Sequence, residues 1–238
     1  ILEIPAKVAA DLTPWQESAV RVATRMLKQR GLAVIGDVVG LGKTLTGTAI
    51  AAAYGERVLV ICPKNLKGMW EEYLETYEVH GKVMSLSMVT KELPDLAPYR
   101  LVLIDESHNI RHTTRNDWQV IHEYIQTWNS NLVLLTATMF NADHFDISGQ
   151  LKLKLPSDLD LGIRPEEHIA SLGLDGEFQL AQKTNGRLST LEAFEQSSFA
   201  KDWQRLLGQY LVRRTRRYLE ETYGEKDPET GRIFFRFN

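Results

Sequence analysis

Apolar residues fall along this chain in two rhythms. Short continuous runs, LAVIGD (32–37), RVLVICP (57–63), RLVLIDE (100–106) and NLVLLTAT (131–138), predict buried strands, and KVMSLSM (82–88) is a weaker candidate between them. The segments that alternate with these runs carry apolar residues at helical spacing. Thr13 suits an N-cap and Pro14 the first helical position, after which Trp15, Ala19, Val22 and Met26 share a face until Gly31. KTLTGTAIAAAY (43–54) predicts a helix stopped by Gly55. LKGMWEEYLETY (66–77) predicts another, with Leu66, Met69, Trp70, Tyr73, Leu74 and Tyr77 in one stripe. Strands alternating with helices imply an α/β fold with a mostly parallel sheet of about five strands and helices on both faces.

The texture changes after residue 145. No strong strand pattern follows to about 198, and LPSDLDLGIRPEE and KTNGRL read as loops. FAKDWQRLLGQYLVRRTRRYLEETYG then predicts one helix, with Phe199, Trp203, Leu206, Leu207, Tyr210 and Leu211 on its apolar face and Gly224 as the stop. The expected organisation is a sheet-bearing unit over 1–145 and a smaller helical insertion over 146–224. Residues 225–238 are read as a linker or the start of a further segment, with a turn at Asp227 to Gly231. The chain starts at Ile1 and ends in the apolar run RIFFRFN, so a piece of a longer protein is expected.

Composition narrows this little. With 28 Lys+Arg against 31 Asp+Glu, the formal charge is -3, so a nucleic-acid site has to be a local basic patch. The single cysteine, Cys62, closes a strand pattern and is expected in the core. Together with the lack of a signal peptide or a long apolar span, it points to a cytoplasmic protein with no membrane partner. The six histidines (80, 108, 112, 122, 144, 168) show no metal-ligand spacing with each other or with Cys62.

Chemistry enters with GDVVGLGKTLTG (36–47), set between a strand and a helix. Consecutive backbone N–H groups in such a glycine-rich turn, at the positive end of the next helix, can cradle phosphates. Gly40 and Gly42 would let the backbone approach, Lys43 would reach the β- and γ-phosphates of ATP, and the Thr44 hydroxyl would hold Mg²⁺. The strict pattern asks for glycine at position 37, where this chain has Asp37. A plain strand-to-helix turn is the alternative. In LVLIDESHNI, Asp105 and Glu106 close an apolar strand, the place where a parallel sheet presents ligands. Asp105 would hold Mg²⁺ and Glu106 would orient and deprotonate an attacking water, or both are a solvated strand end. His108 is read as a hydrogen-bonding link to neighbouring strand ends.

GDVVGLGKT, DESH and LLTAT, in that order and each at a strand end, resemble the first RecA-like lobe of superfamily 2 (DEAD/DEAH-box-like) helicases, and more narrowly of the Swi/Snf-type ATPases. ICPKNLKGMWEEYL and YLVRRTRRYL are similar to two further segments of that family. The resemblance departs at Val38, where a second acid is usual, and at TATMFN, where the family pattern is Thr-Gly-Thr-Pro and Met139 stands. It implies a RecA-like P-loop domain over 1–145, ATP and Mg²⁺ as cofactors, and double-stranded DNA as partner. It also implies a second RecA-like lobe that supplies a transition-state arginine. By position it implies nucleotide contacts from Gln16, Asp37, Gly40, Leu41, Gly42, Lys43, Thr44 and Leu45, with Gln16 recognising adenine. Thr13 and Gln16 also have capping-box spacing, which offers Gln16 a purely structural role. Thr136 and Thr138 would couple hydrolysis to lobe movement, with His108, unless the threonines are an ordinary strand-end pair. Pro63, Lys64, Asn65, Lys67 and Arg111 would grip phosphates of one DNA strand, or the lysines are simply solvated. Arg213, Arg214, Arg216 and Arg217 look like a phosphate patch or a charged helix end, and are read as a brace between the helical unit and the motor that contacts DNA only secondarily. The implied activity is that of an ATP-dependent DNA translocase lobe, cytoplasmic and nucleoid-associated if prokaryotic. The alternatives are a nucleotide-binding nucleic-acid scaffold without turnover and another kind of P-loop ATPase.

Overall fold

The computed structural model describes residues 3–36, 42–137, 143–213, 225–226 and 233–234. In chain order the elements begin with α1 (Ala6–Ala9), α2 (Pro14–Arg30), β1 (Leu32–Ile35), α3 (Lys43–Tyr54), β2 (Val58–Cys62), α4 (Lys67–Thr76) and β3 (Gly81–Ser85). They continue with α5 (Val89–Glu92), β4 (Leu101–Asp105), α6 (Asn116–Trp128), β5 (Asn131–Leu135) and α7 (His144–Leu151). Then come α8 (Glu166–Ser171), α9 (Gly176–Lys183), α10 (Leu191–Glu195), α11 (Ala200–Leu207), β6 (Leu211–Val212) and the pair β7 (Glu225–Lys226) and β8 (Ile233–Phe234).

Six strands form one sheet in the order β3-β2-β4-β5-β1-β6, and every neighbouring pair is parallel. Side chains alternate strictly between its faces. Leu32, Val34, Leu59, Ile61, Val102, Ile104, Leu132 and Leu134 enter one core cluster, and Ala33, Ile35, Val58, Val60, Leu101, Leu103, Val133 and Leu135 enter the other. Both faces are therefore dry, which is why the strands read as unbroken apolar runs.

One face is covered by α2, α3 and α4 through Ala19, Val20, Ala23, Ala49, Ile50, Trp70 and Leu74. The other is covered by α6 with Trp118, Ile121 and Ile125, and then by the segment after residue 145. Ile147, Leu151, Leu191, Phe194, Trp203, Leu206 and Leu207 all join that same core cluster. The helical stretch beyond 145 is thus a layer of the sheet unit, with only a small satellite cluster of its own at Ile169, Leu180 and Ala193.

The long final helix predicted from residue 199 is not formed as such. The chain is helical over Ala200–Leu207, turns at Gly208, and runs into β6 beside β1, where Val34 N–H donates to the Tyr210 carbonyl and Gly36 N–H to that of Val212. Leu211 and Val212 are apolar on consecutive positions and complete the open edge of β1, a demand from the sheet that outweighs helix periodicity. Arg213 follows that strand; Arg214, Arg216, Arg217, Gly224 and the turn at Asp227 to Gly231 lie outside the described residues. Among the described residues, no helix is long and apolar enough to cross a membrane.

Candidate active site

A parallel sheet delivers the C-terminal ends of all its strands to one edge. The order β4-β5-β1 brings Asp105 and Glu106, Thr136, and the start of the glycine-rich turn at Gly36 side by side there. Thr136 is fully buried, and its N–H donates to the Ile35 carbonyl at 3.0 Å, stitching the end of β5 to the end of β1. Asp37, Gly40, Leu41 and Thr138 lie outside the described residues.

The turn re-enters the described structure at Gly42, which caps α3. Its backbone is left-handed, with φ 71° and ψ 43°, and among the described residues no side-chain cap hydrogen bond is made to the helix. The first intrahelical bond runs from Thr46 N–H to the Gly42 carbonyl at 3.0 Å. Amides ahead of Thr46 have no intrahelical acceptor, so this helix end presents the positive pole of its dipole. The contrast with α2 is informative. There Thr13 accepts from Gln16 N–H while Gln16 Oε1 accepts from Thr13 N–H at 2.9 Å, a complete capping box with Pro14 in the first turn.

Gln16 also reaches the turn. It is buried, and its amide Nε2 lies 3.5 Å from the Gly42 carbonyl. A Cβ at position 42 would come within 2.5 Å of Nε2. The two roles weighed for Gln16 are therefore not separate in space: the cap fixes Oε1 and sends the nitrogen to the phosphate-type turn.

Asp105 is 7% exposed on the face shared with α4. Its Oδ2 accepts from Trp70 Nε1 at 2.9 Å and its Oδ1 from Glu106 N–H at 2.9 Å. Glu106 adopts φ 50° and ψ 49°, a left-handed conformation unusual for a glutamate. That bend turns the chain off the strand into the 3₁₀ turn of Ser107–Ile110, and it sets the Glu106 carboxylate 3.2 Å from His108 Nδ1. Behind it, Ser107 Oγ donates to Gln150 Oε1 at 2.7 Å and Trp118 Nε1 to the Gly149 carbonyl at 2.8 Å. The turn is thereby clamped to α7. Gly149 makes this possible, since a Cβ there would lie 1.8 Å from the Arg111 carbonyl oxygen.

The other sequence candidates divide. Lys43 and Leu45 are half-buried in the first turn of α3, and Thr44 Oγ1 lies 4.0 Å from Met69 Sδ. Lys64 and Asn65 are exposed in the turn before α4, Pro63 is half-buried, and Lys67 pairs with Glu71 at 3.5 Å. Arg111 is committed within the chain: Nη1 donates to the His108 carbonyl at 2.7 Å and Nε lies 3.2 Å from Asp146. Cys62 is buried at the end of β2. Burial first, then the negative charge of Asp105, pushes its thiol up to about 12, so it stays protonated and inert at neutral pH.

Three residues of this arrangement escaped the sequence reading: Trp70 as partner of Asp105, Gln150 as partner of Ser107, and Asp146 as partner of Arg111. Trp70 was assigned to the core by its stripe, which is correct for its ring and silent about its N–H.

No protein-family profile matches the chain. The curated proteins that align with it include "SWI/SNF-related matrix-associated actin-dependent regulator of chromatin subfamily A-like protein 1" of Bos taurus, "DNA annealing helicase and endonuclease ZRANB3" of Mus musculus, and "Uncharacterized ATP-dependent helicase YqhH" of Bacillus subtilis (strain 168). Identities are 29% over 132 residues, 26% over 165 and 25% over 156, covering 46%, 57% and 56% of this chain. The chain is thus similar to Swi/Snf-type ATPases of superfamily 2. The alignments span only 14%, 15% and 28% of those relatives, so this chain corresponds to a fraction of each. In fold it matches the "Sulfolobus solfataricus SWI2/SNF2 ATPase core in complex with dsDNA" with a TM-score of 0.66 at 17% identity, over 96% of this chain and 52% of that one. The RecA-like architecture is therefore as the resemblance implied.

Proposed function

We propose that this chain is the nucleotide-binding motor lobe of an ATP-dependent double-stranded DNA translocase, turning over ATP when joined to a second RecA-like lobe. The observation that carries the proposal is the meeting, at one edge of a parallel sheet, of an α3 N-terminus that follows a glycine-rich turn and has no side-chain cap among the described residues with a buried Asp105 and an adjacent Glu106. The residues present fit ATP with Mg²⁺. An open helix end suits phosphate oxygens, Lys43 in its first turn adds a positive charge, and the Thr44 hydroxyl and the Asp105 carboxylate are hard oxygen donors for Mg²⁺. When bound, the cation would neutralise charge on the phosphates. Glu106, held off the strand by its left-handed backbone, orients and deprotonates the attacking water. Gln16 presents its amide beside Gly42 and reads adenine, Thr136 links two strand ends, and His108 sets the position of Glu106.

Pro63, Lys64 and Asn65 form the strongest surface for DNA phosphates, since they are accessible and open α4. Lys67 and Arg111 would add to this surface, though the former is shared with Glu71 and the latter with Asp146. None of these groups reads base edges, so binding is sequence-tolerant and weakens with salt. Residues 1–145 together with the 146–224 segment act as one lobe, in the cytoplasm, with the partner lobe supplying the transition-state arginine. The test is ATP turnover by the intact protein with no nucleic acid, duplex DNA, single-stranded DNA or RNA, with Glu106→Gln as blank. Stimulation by duplex that the variant loses is expected. No stimulation by any of them, with wild type and Glu106→Gln alike, would remove the translocase reading.

A further inference from the structure

Trp70 combines three features that a packing residue does not need together. It is fully buried, it donates from Nε1 to Asp105 Oδ2 at 2.9 Å across 35 residues of sequence, and it stands one turn into α4, which follows the turn of exposed Lys64 and Asn65. With Glu106 N–H on Oδ1, the indole completes a pair of fixed donors that hold the Asp105 carboxylate from both oxygens. Each oxygen keeps a second lone pair for another partner.

We infer that Trp70 is a positioning residue that presets the Asp105 carboxylate for a divalent cation. The inference rests on the nucleotide-site reading above and adds to it a residue that touches neither nucleotide nor water. The physical basis is that a carboxylate ligand is oriented by the groups behind it, and losing such a partner costs roughly 10- to 100-fold in metal affinity. The indole is well suited to the task, because its N–H is a donor only, and burial in the α4 stripe leaves it no water to choose instead.

The test uses the 238-residue chain, a fluorescent ATP analogue and titrated Mg²⁺, comparing wild type with Trp70→Phe and with Leu74→Ala. Phenylalanine keeps an apolar ring and deletes the donor; Leu74→Ala damages the same helix stripe without touching Asp105. Trp70→Phe is expected to raise the Mg²⁺ half-saturation roughly tenfold or more and to leave Mg²⁺-free nucleotide affinity unchanged, while Leu74→Ala lowers the unfolding midpoint alone. An unchanged Mg²⁺ half-saturation in folded Trp70→Phe, or an equal shift in Leu74→Ala, overturns the inference. Should Trp70→Phe not fold, the assigned Trp70 indole ¹⁵N–¹H resonance of the wild type decides. It is expected to move with the Mg²⁺ midpoint of nucleotide binding, and a resonance unmoved through saturation overturns the inference equally. A wild-type chain that binds no nucleotide, with or without Mg²⁺, instead brings down the nucleotide-site reading itself and this inference with it.

Discussion

Replacing Gly42 with alanine separates two costs that the structure keeps apart. At φ 71° the backbone of residue 42 lies in the left-handed region, where an L side chain costs about 1–2 kcal/mol. In addition, the new Cβ would stand 2.5 Å from Gln16 Nε2, far inside contact distance, and among the described residues the next heavy atom is Gln16 Cδ at 3.8 Å. That neighbour is the end of a side chain, so the clash is relieved by moving the amide, and the capping interaction of Oε1 with Thr13 is pulled away with it. Losing the cap adds about 1 kcal/mol. Gly55, at the other end of α3, supplies the control: its φ is 78°, yet nothing lies within 4 Å of its would-be Cβ.

Gly55→Ala should therefore lose only the backbone cost of about 1–2 kcal/mol, and Gly42→Ala about 1 kcal/mol more. Urea denaturation of the chain with an unchanged m-value measures both. A fluorescent ATP analogue gives the second readout, in which Gly55→Ala binds as wild type and Gly42→Ala binds far more weakly. If the two variants are equally destabilised and bind nucleotide equally well, then neither the contact between Gln16 and Gly42 nor its placement at the nucleotide site can be right.

Other outcomes follow from single contacts. Thr13→Ala removes the cap but not the Gln16 amide, so it should cost about 1 kcal/mol in urea while preference for adenine over guanine nucleotides persists; Gln16→Ala should lose both, as competition binding would reveal. Asp202 is 2% exposed and accepts from the N–H groups of Glu167 and His168 at 3.0 Å and from Ser197 Oγ at 2.6 Å, so it caps α8 from another helix. Asp202→Ala strands those donors and should destabilise by about 1–3 kcal/mol or more, with a loss below 1 kcal/mol by denaturation refuting the capping role. Burial, reinforced by Lys183 and only partly opposed by Asp202, holds the His168 imidazole below its ordinary 6.5. The folded state thus takes up the proton less readily than the unfolded one, so stability is full above pH 6.5 and falls as pH drops through it towards the folded value. A His168→Gln variant should show a shallower fall in urea midpoint between about pH 7.5 and 5.5, and an identical slope would count against the assignment.

What the sequence could carry was decided by whether the relevant partner lay nearby in the chain or across it. α2 was legible to the residue, because Thr13, Pro14 and Gly31 end it through contacts within one turn. The strands that hold the acid pair and the glycine-rich turn were legible because a sheet dry on both faces leaves an unbroken apolar run. The last predicted helix failed where a long-range demand took over: residues 211–212 have helical spacing with what precedes them, yet β1 had an open edge and claimed them. The same division holds in the site. Asp105 and Glu106 stand at a strand end, where the sequence shows them, whereas the partners that fix Asp105 and Ser107, the donor Trp70 and the acceptor Gln150, come from 35 and 43 residues away. Periodicity records which face of a helix is buried and carries no signal for which buried atom has a hydrogen to give. A tryptophan in an apolar stripe therefore reads as packing whether or not its N–H meets a carboxylate, and only the register between α4 and β4 decides between the two.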